Sequence, residues 1–307
     1  MSARFIDCPR FLAELVTPEL RAIAPELAIH IGSPSADEAA ARLADCALAV
    51  DDHTVLDERV LAACPGLRTI VFMGTGASSY IDLDAARRRG IRVHTISGYG
   101  DRSVAEHALA LMLAGGRKIA TMDRAIRAGE WATLDGVELA GKTLGVVGTG
   151  GIGKEMVRLG AALAMRVIAW NRSGVPADLP AEACALDELL ASADVISLHL
   201  ALNDQTREII DRRRIGLIRP QAMLVNTARG GLVDEPALVE ALQAGRLAHA
   251  ALDVFADEPL AAGHPLARLD NVTLTAHAGF MTREASERLL RRAFEIVARE
   301  SAAAARP

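Results

Sequence analysis

One stretch constrains the chain more than any other: an apolar, β-rich run, Thr143–Val147, passes without interruption into Gly148, Gly150 and Gly153 at the spacing G-x-G-x-x-G. Gly148 permits a tight turn, Gly150 lets backbone N–H groups approach a pyrophosphate, and Gly153 lets the following helix lie close on the strand. The N-terminus of that helix then faces the phosphates with its unpaired N–H groups. Such a spacing alone is a weak signal. Its setting strengthens it, because a strand precedes, a helix-period segment (Gly151–Ala164) follows, and a second strand ends at Asn171. The segment reads as a nucleotide site.

The same strand-then-helix grammar extends over the whole chain. In the first hundred residues the expected strands are Arg4–Asp7, Leu27–Ile31, Ala47–Val50, Thr69–Met73 and Arg92–Thr95, with helices such as Asp57–Ala63 and Asp82–Arg89 between them. A long helix is expected over Val104–Ala128. A second series follows, with strands Thr143–Gly148, Arg166–Asn171, Asp194–Leu200, Ala222–Thr227, Ala248–Phe255 and Asn271–Ala276, and helices such as Leu186–Ala191 and Glu235–Ala244. Arg283–Ala305 reads as one amphipathic closing helix. Apolar strands separated by helices predict parallel sheets covered on both faces. With 307 residues, 51% of them hydrophobic, two domains are expected.

Composition excludes several partners. The charge balance of 34 Lys+Arg against 39 Asp+Glu, with no long basic run and 3% aromatics, argues against nucleic acid or an anionic membrane surface. Cys8, Cys46, Cys64 and Cys184 are too scattered for a disulfide framework, which fits a reducing compartment. The N-terminus lacks a signal-peptide layout, and the longest apolar stretch, residues 108–114, is too short to span a bilayer. A cytoplasmic location is expected. No metal is expected either, since His30, His53, His94, His107, His249 and His264 lack ligand spacing.

The residue ending the second strand of a dinucleotide fold meets the adenosine ribose, where an acid would repel a 2′-phosphate. Here that place holds Asn171, then Arg172 and Ser173, a neutral, cationic and hydroxyl set that favours NADP(H) and leaves NAD(H) possible. Three later strands end near Arg229, an acidic pair Asp257-Glu258, and His277; His199 ends another, where it could touch the cofactor or simply pack.

Together with the glycine loop, these segments resemble the D-2-hydroxyacid dehydrogenase family. The resemblance runs from Gly74-Thr75-Gly76 to the final helix and includes Ser103-Val104-Ala105-Glu106-His107 and the approach Trp131…Gly141-Lys142-Thr143. It implies an α/β fold: two Rossmann-like, doubly wound parallel-sheet domains with a cleft between them. Residues 1–98 plus 283–307 would form the substrate domain and 99–282 the dinucleotide domain, with a dimerisation arm over about 102–135. Arg229, Glu258 and His277 match the family's catalytic residues, and Asp253 a cofactor-contacting acid. Candidate cofactor contacts also include Gly151, Ile152, Thr206, Thr227, Ala228 and Gly279. Backbone N–H groups of Gly74, Thr75, Gly76 and Ala77 would hold the substrate carboxylate. Glu258 speaks against the formate dehydrogenase branch, which has glutamine there.

The implied reaction is hydride transfer between nicotinamide and a small 2-hydroxy or 2-oxo acid in a homodimer. Relatives acting on 3-phosphoglycerate carry basic residues where this chain has Asp51 and Asp52, so a glyoxylate- or hydroxypyruvate-like substrate is expected. Those aspartates could instead merely cap the following turn. Phe280 and Met281 add bulk after His277, for the pocket wall or for packing. The chain ends soon after His277, so no regulatory domain is expected. Two alternatives stand beside this reading: an NAD-dependent 3-phosphoglycerate dehydrogenase, and a non-catalytic nicotinamide-sensing protein of the same fold.

Overall fold

The computed structural model describes residues 2–304. Two compact units divide the chain, Met1–Gly100 with Met281–Pro307, and Asp101–Phe280.

The first unit is built on strands β1 (Ala3–Cys8), β2 (Leu27–Ile31), β3 (Leu48–Asp51), β4 (Thr69–Phe72) and β5 (Arg92–Thr95). All pair in parallel in the order β2-β1-β3-β4-β5, a doubly wound arrangement whose direction switches between β1 and β3. Successive residues alternate between two cores. Phe5, Val50 and Val71 face one that includes Leu289, Leu290, Phe294 and Val297 of the closing helix Arg283–Ala304. Ile6, Ala49 and Ile70 face the other, under Leu43, Val60, Leu61 and Ala85. Helix starts are set by side-chain caps: Thr17, Asp57 and Asp82 each accept a first-turn N–H, and Ser35 forms a reciprocal capping box with Glu38. Ala305, the last residue of the expected closing helix, lies outside the described residues.

The second unit holds β6 (Thr143–Val147), β7 (Arg166–Trp170), β8 (Glu182–Ala183), β9 (Val195–Leu198), β10 (Met223–Asn226), β11 (His249–Leu252) and β12 (Val272–Leu274). The sheet order is β12-β11-β10-β9-β6-β7-β8, and every pair is parallel. From β6 this is the winding of a dinucleotide-binding sheet, switching between β6 and β9. It has seven strands where six are expected. The additional β8 is a two-residue exposed edge strand with too little apolar sequence to announce itself.

The expected single helix over Val104–Ala128 is two helices, Asp101–Gly116 and Ile119–Arg127. Gly115 and Gly116 weaken the junction, and Lys118 adopts a left-handed conformation (φ 53) that turns the chain. Tertiary packing requires the first of them, since a Cβ on Gly115 would lie 2.7 Å from His249 Cδ2. The second helix buries no residue, and Ile119, Ile126 and the following Trp131 are exposed. Among the described residues no helix is long and apolar enough to cross a membrane.

Candidate active site

The glycine loop meets the steric demands its spacing implies. Gly148 has φ +98, and a Cβ there would stand 2.5 Å from the His199 carbonyl oxygen; one on Gly153 would stand 1.8 Å from the Gly148 oxygen. Turn and helix can therefore approach only as glycines. Gly150 differs: a Cβ there would meet nothing within 4 Å. It is the N-cap of the helix Gly151–Ala162 and supplies no side-chain cap, while the Asp101 carboxylate lies against Gly151, where a Cβ would stand 1.8 Å from Oδ2; Ile152 follows in the first turn, whose N–H groups suit an anion.

Three buried polar atoms lie beside this loop without a partner: Thr149 Oγ1, His199 Nδ1 and Thr227 Oγ1. They follow β6, β9 and β10, which are neighbours in the sheet. Buried polar groups are normally paired, so this row at the switch point fits a polar ligand laid along the strand ends. Burial holds the His199 imidazole down at about 4, hence neutral, with Nε2 2.8 Å from Ser197 Oγ. Thr206 uses its hydroxyl locally, donating to the Ala201 carbonyl at 2.7 Å and accepting the Asn203 N–H at 2.8 Å, and so shapes the loop after β9.

At the end of β7, Asn171 Oδ1 accepts the Thr149 N–H (3.3 Å), while Nδ2 donates to Ser173 Oγ (2.8 Å) and to the Gly174 carbonyl (3.0 Å). Ser173 receives that bond, so its own hydrogen is left to donate. Arg172 is exposed and contacts the neutral side chain of Gln205.

Arg229, Glu258 and His277 all belong to this unit. Asn226 fixes the turn before Arg229, accepting the Ala228 N–H and donating to the Arg229 carbonyl, both at 3.0 Å. Glu258 Oε1 accepts the Phe255 N–H at 3.0 Å, and Oε2 stands 2.6 Å from His277 Nδ1. Burial raises the Glu258 carboxyl, but the bonds from His277 and Phe255, with the charges of His277 and Arg229, hold it below the usual range. With Nδ1 committed to Glu258, His277 has Nε2 left for a substrate. The pair is about one-third exposed (His277 35%, Glu258 34%), open enough for a ligand to reach it.

Asp253 is 1% exposed, and both its oxygens serve the loop that carries His277. Oδ1 accepts from Thr275 Oγ1 (2.6 Å) and the Ala278 N–H (2.8 Å), Oδ2 from the Gly279 N–H (2.9 Å), and the Asp253 carbonyl accepts the His277 N–H (2.8 Å). His107 reaches the same cluster. The sequence reading gives neither His107 nor Thr275 a role; the one available signal is a histidine and a threonine close to matched motifs.

In the first unit, Gly74 follows β4 and donates its N–H to the Phe72 carbonyl at 2.8 Å, so of the loop 74–77 it is the residue whose N–H is already engaged. Thr75, Gly76 and Ala77 lead into the turn Ala77–Ser79. The acidic segment after β3 neither presents two charges nor simply caps a turn. Asp51 is fully buried, and burial beside Asp7 and Asp52 pushes its carboxyl well above the usual range. Asp52 pairs with His53 Nδ1 at 2.7 Å. The capping carboxylate is Asp7, which accepts the N–H groups of Asp52, His53 and Thr54 and the Thr54 hydroxyl, all within 2.9 Å.

A glycine loop at the switch point, with a histidine bonded to a glutamate in the same unit, is the kind of site a nicotinamide-dependent oxidoreductase needs. The family described as D-isomer specific 2-hydroxyacid dehydrogenase, NAD binding domain, matches residues 109–279. A glyoxylate reductase of Aeropyrum pernix is 40% identical over 79% of this chain and 77% of its own. A hydroxypyruvate reductase of Thermotoga maritima is 40% identical over 79% and 80%. A D-3-phosphoglycerate dehydrogenase of Mycobacterium leprae is 43% identical over 79% of this chain but 46% of its own, so the chain spans about half the length of that relative. Among solved structures, the TT0316 protein from Thermus thermophilus is similar with a TM-score of 0.87 at 34% identity, covering 97% of both chains. An acyclic imino acid reductase in complex with NADPH and D-Arg gives 0.85 at 27% identity over 100% of this chain and 98% of that one. The chain belongs to the D-isomer-specific 2-hydroxyacid dehydrogenase family, whose members are oxidoreductases acting on the CH–OH group of hydroxy acids.

Proposed function

We propose that the chain is an NADP(H)-preferring reductase of a small 2-oxo acid, glyoxylate or hydroxypyruvate in size. The observation that carries the reading is the 2.6 Å contact of His277 Nδ1 with Glu258, in the unit that also holds Arg229 and the glycine loop. His277 Nε2 donates a proton to the 2-oxo oxygen on reduction and takes it back on oxidation. Glu258 fixes the tautomer and the orientation of the ring. Arg229 clamps the carboxylate and polarises the oxo group. When bound, the nicotinamide ring supplies the hydride. Thr149, His199 and Thr227 would offer their unpartnered atoms to the dinucleotide, with Ala228 and Gly279 as further contacts, and Asp253 holds the loop that carries His277. In the first unit, the N–H groups of Thr75, Gly76 and Ala77 are assigned the carboxylate, with Gly74 setting their turn.

Preference for NADP(H) over NAD(H) is supported by the absence of an acid at the end of β7 and by the free hydrogen of Ser173 beside Arg172. A substrate without a phosphate is supported by the segment 51–54, whose N–H groups Asp7 already occupies. The exposed Ile119, Ile126 and Trp131 support a homodimer through the arm, and four free thiols support a cytoplasmic location. Initial rates with NADPH and NADH, each against glyoxylate, hydroxypyruvate and phosphohydroxypyruvate, test the proposal. NADPH with an unphosphorylated acid should be the fastest combination. Exclusive use of NADH with phosphohydroxypyruvate would make the chain a 3-phosphoglycerate dehydrogenase, and no turnover at all would favour a nicotinamide sensor.

A further inference from the structure

His107 stands on the helix Asp101–Gly116, with Nε2 3.0 Å from Thr275 Oγ1 and 3.3 Å from Asp253 Oδ1. Thr275 Oγ1 is itself 2.6 Å from Asp253 Oδ1. Burial raises the Asp253 carboxyl, but the bonds from His107, Thr275 and the Ala278 and Gly279 amides outweigh it and keep the group ionised. An ionised carboxylate only accepts, and a hydroxyl has one hydrogen, so Thr275 donates to Asp253. The oxygen of Thr275 then has only lone pairs left to offer, and His107 Nε2 must carry the hydrogen between them. The direction of the chain is therefore fixed as His107 to Thr275 to Asp253.

Asp253 in turn holds the N–H groups of His277, Ala278 and Gly279, bracketing a histidine whose φ of 52 is rare outside glycine. Proton transfer tolerates little misplacement of the imidazole. We propose that His107 is a positioning residue for the acid–base step, orienting Thr275 and Asp253 so that the loop holds His277 in its left-handed conformation. The inference rests on the reading of His277 as the proton-transfer group.

Four variants test it with NADPH and glyoxylate, alongside amide hydrogen exchange of the ligand-free protein. His107→Leu keeps bulk and removes the donor; Thr275→Val keeps shape and removes the hydroxyl. Each should lower kcat about tenfold or more, leave KM for glyoxylate and Kd for NADPH nearly unchanged, and speed exchange at Ala278 and Gly279. The double variant should lose less than the two single losses multiplied together, because both act through Asp253. His107→Gln, whose amide puts an N–H close to the place of Nε2, should restore most of the rate and the protection. Should His107→Leu fail to fold, Thr275→Val against Thr275→Ser makes the same comparison. A His107→Leu kcat equal to wild type, a loss seen only in NADPH binding, or a Gln variant no better than Leu would overturn the proposal. His277→Ala separates the two readings. If it keeps full turnover, the acid–base assignment has failed; if it is inactive while His107→Leu is fully active, only the positioning role has failed.

Discussion

The ends of β1 and β3 in the first unit and of β6 and β9 in the second occupy equivalent places, each the switch point of a doubly wound sheet. Their chemistry is opposite. In the first, the N–H groups of residues 52–54 form a concave nest that suits an anion, and Asp7 fills it with the chain's own carboxylate. In the second, Gly150 supplies no side-chain cap, and Thr149, His199 and Thr227 hold unpaired polar atoms. One switch point is closed from within and contributes to stability; the other keeps buried polar atoms unpaired, as a site for a ligand does. Shared topology thus makes both places able to bind an anion, and a few side chains decide which one receives it from outside.

Exchanging these characters should break the comparison. Gly150→Asp places a capping carboxylate at the open switch point, in an extended conformation that an N-cap aspartate favours. NADPH affinity should fall on the order of a hundredfold, with the thermal midpoint unchanged or raised. A titration showing affinity retained would place the pyrophosphate elsewhere. The converse change, Asp7→Ala, leaves three N–H groups and a hydroxyl without their acceptor and should destabilise the protein by roughly 2–4 kcal/mol in urea unfolding. Added sulfate should recover part of that loss by entering the emptied nest.

Arg172→Asp acts on a smaller scale, at the ribose end of the open site. It should shift the NADPH-to-NADH ratio of kcat/KM by about tenfold toward NADH, and an unchanged ratio would remove Arg172 from phosphate recognition. A separate readout is the pH dependence of stability. His199 and His249 are lowered from 6.5 to about 4, both chiefly by burial, with the Lys118 charge adding at His249. Between these values the unfolded chain binds protons that the folded one refuses. Stability should therefore fall as pH drops from about 6.5 and level off below about 4, by up to ~1.4 kcal/mol per pH unit for each histidine. Urea unfolding of His249→Gln should show a shallower slope across that window.

How legible these features are in sequence depends on the range of the interactions behind them. The expected strands Thr69–Met73 and Thr143–Gly148 each end within one residue of β4 and β6, because near-complete burial leaves a continuous local apolar pattern. The edge strand β8 has no such pattern, and the helix break at Lys118 follows from Gly115 making room for His249, far away in the chain. The glycine loop is legible because all its demands fall within six residues, Gly148 to Gly153. The Asp7 plug is not, since Asp7 and Asp52 are 45 residues apart, and His107 and Thr275 are separated by 168. Arg229, Glu258 and His277 can each be named from motifs, but the 2.6 Å contact of the last two and the left-handed turn at His277 require the fold.

The central claim, that the open switch point serves a reduction in which His277 moves the proton, is tested most directly by NADPH oxidation with glyoxylate in wild type and His277→Ala, with NADPH binding measured on the same samples. The account predicts a fall in kcat of roughly a hundredfold to ten-thousandfold with unchanged NADPH affinity. Turnover that survives the substitution at full affinity would contradict it.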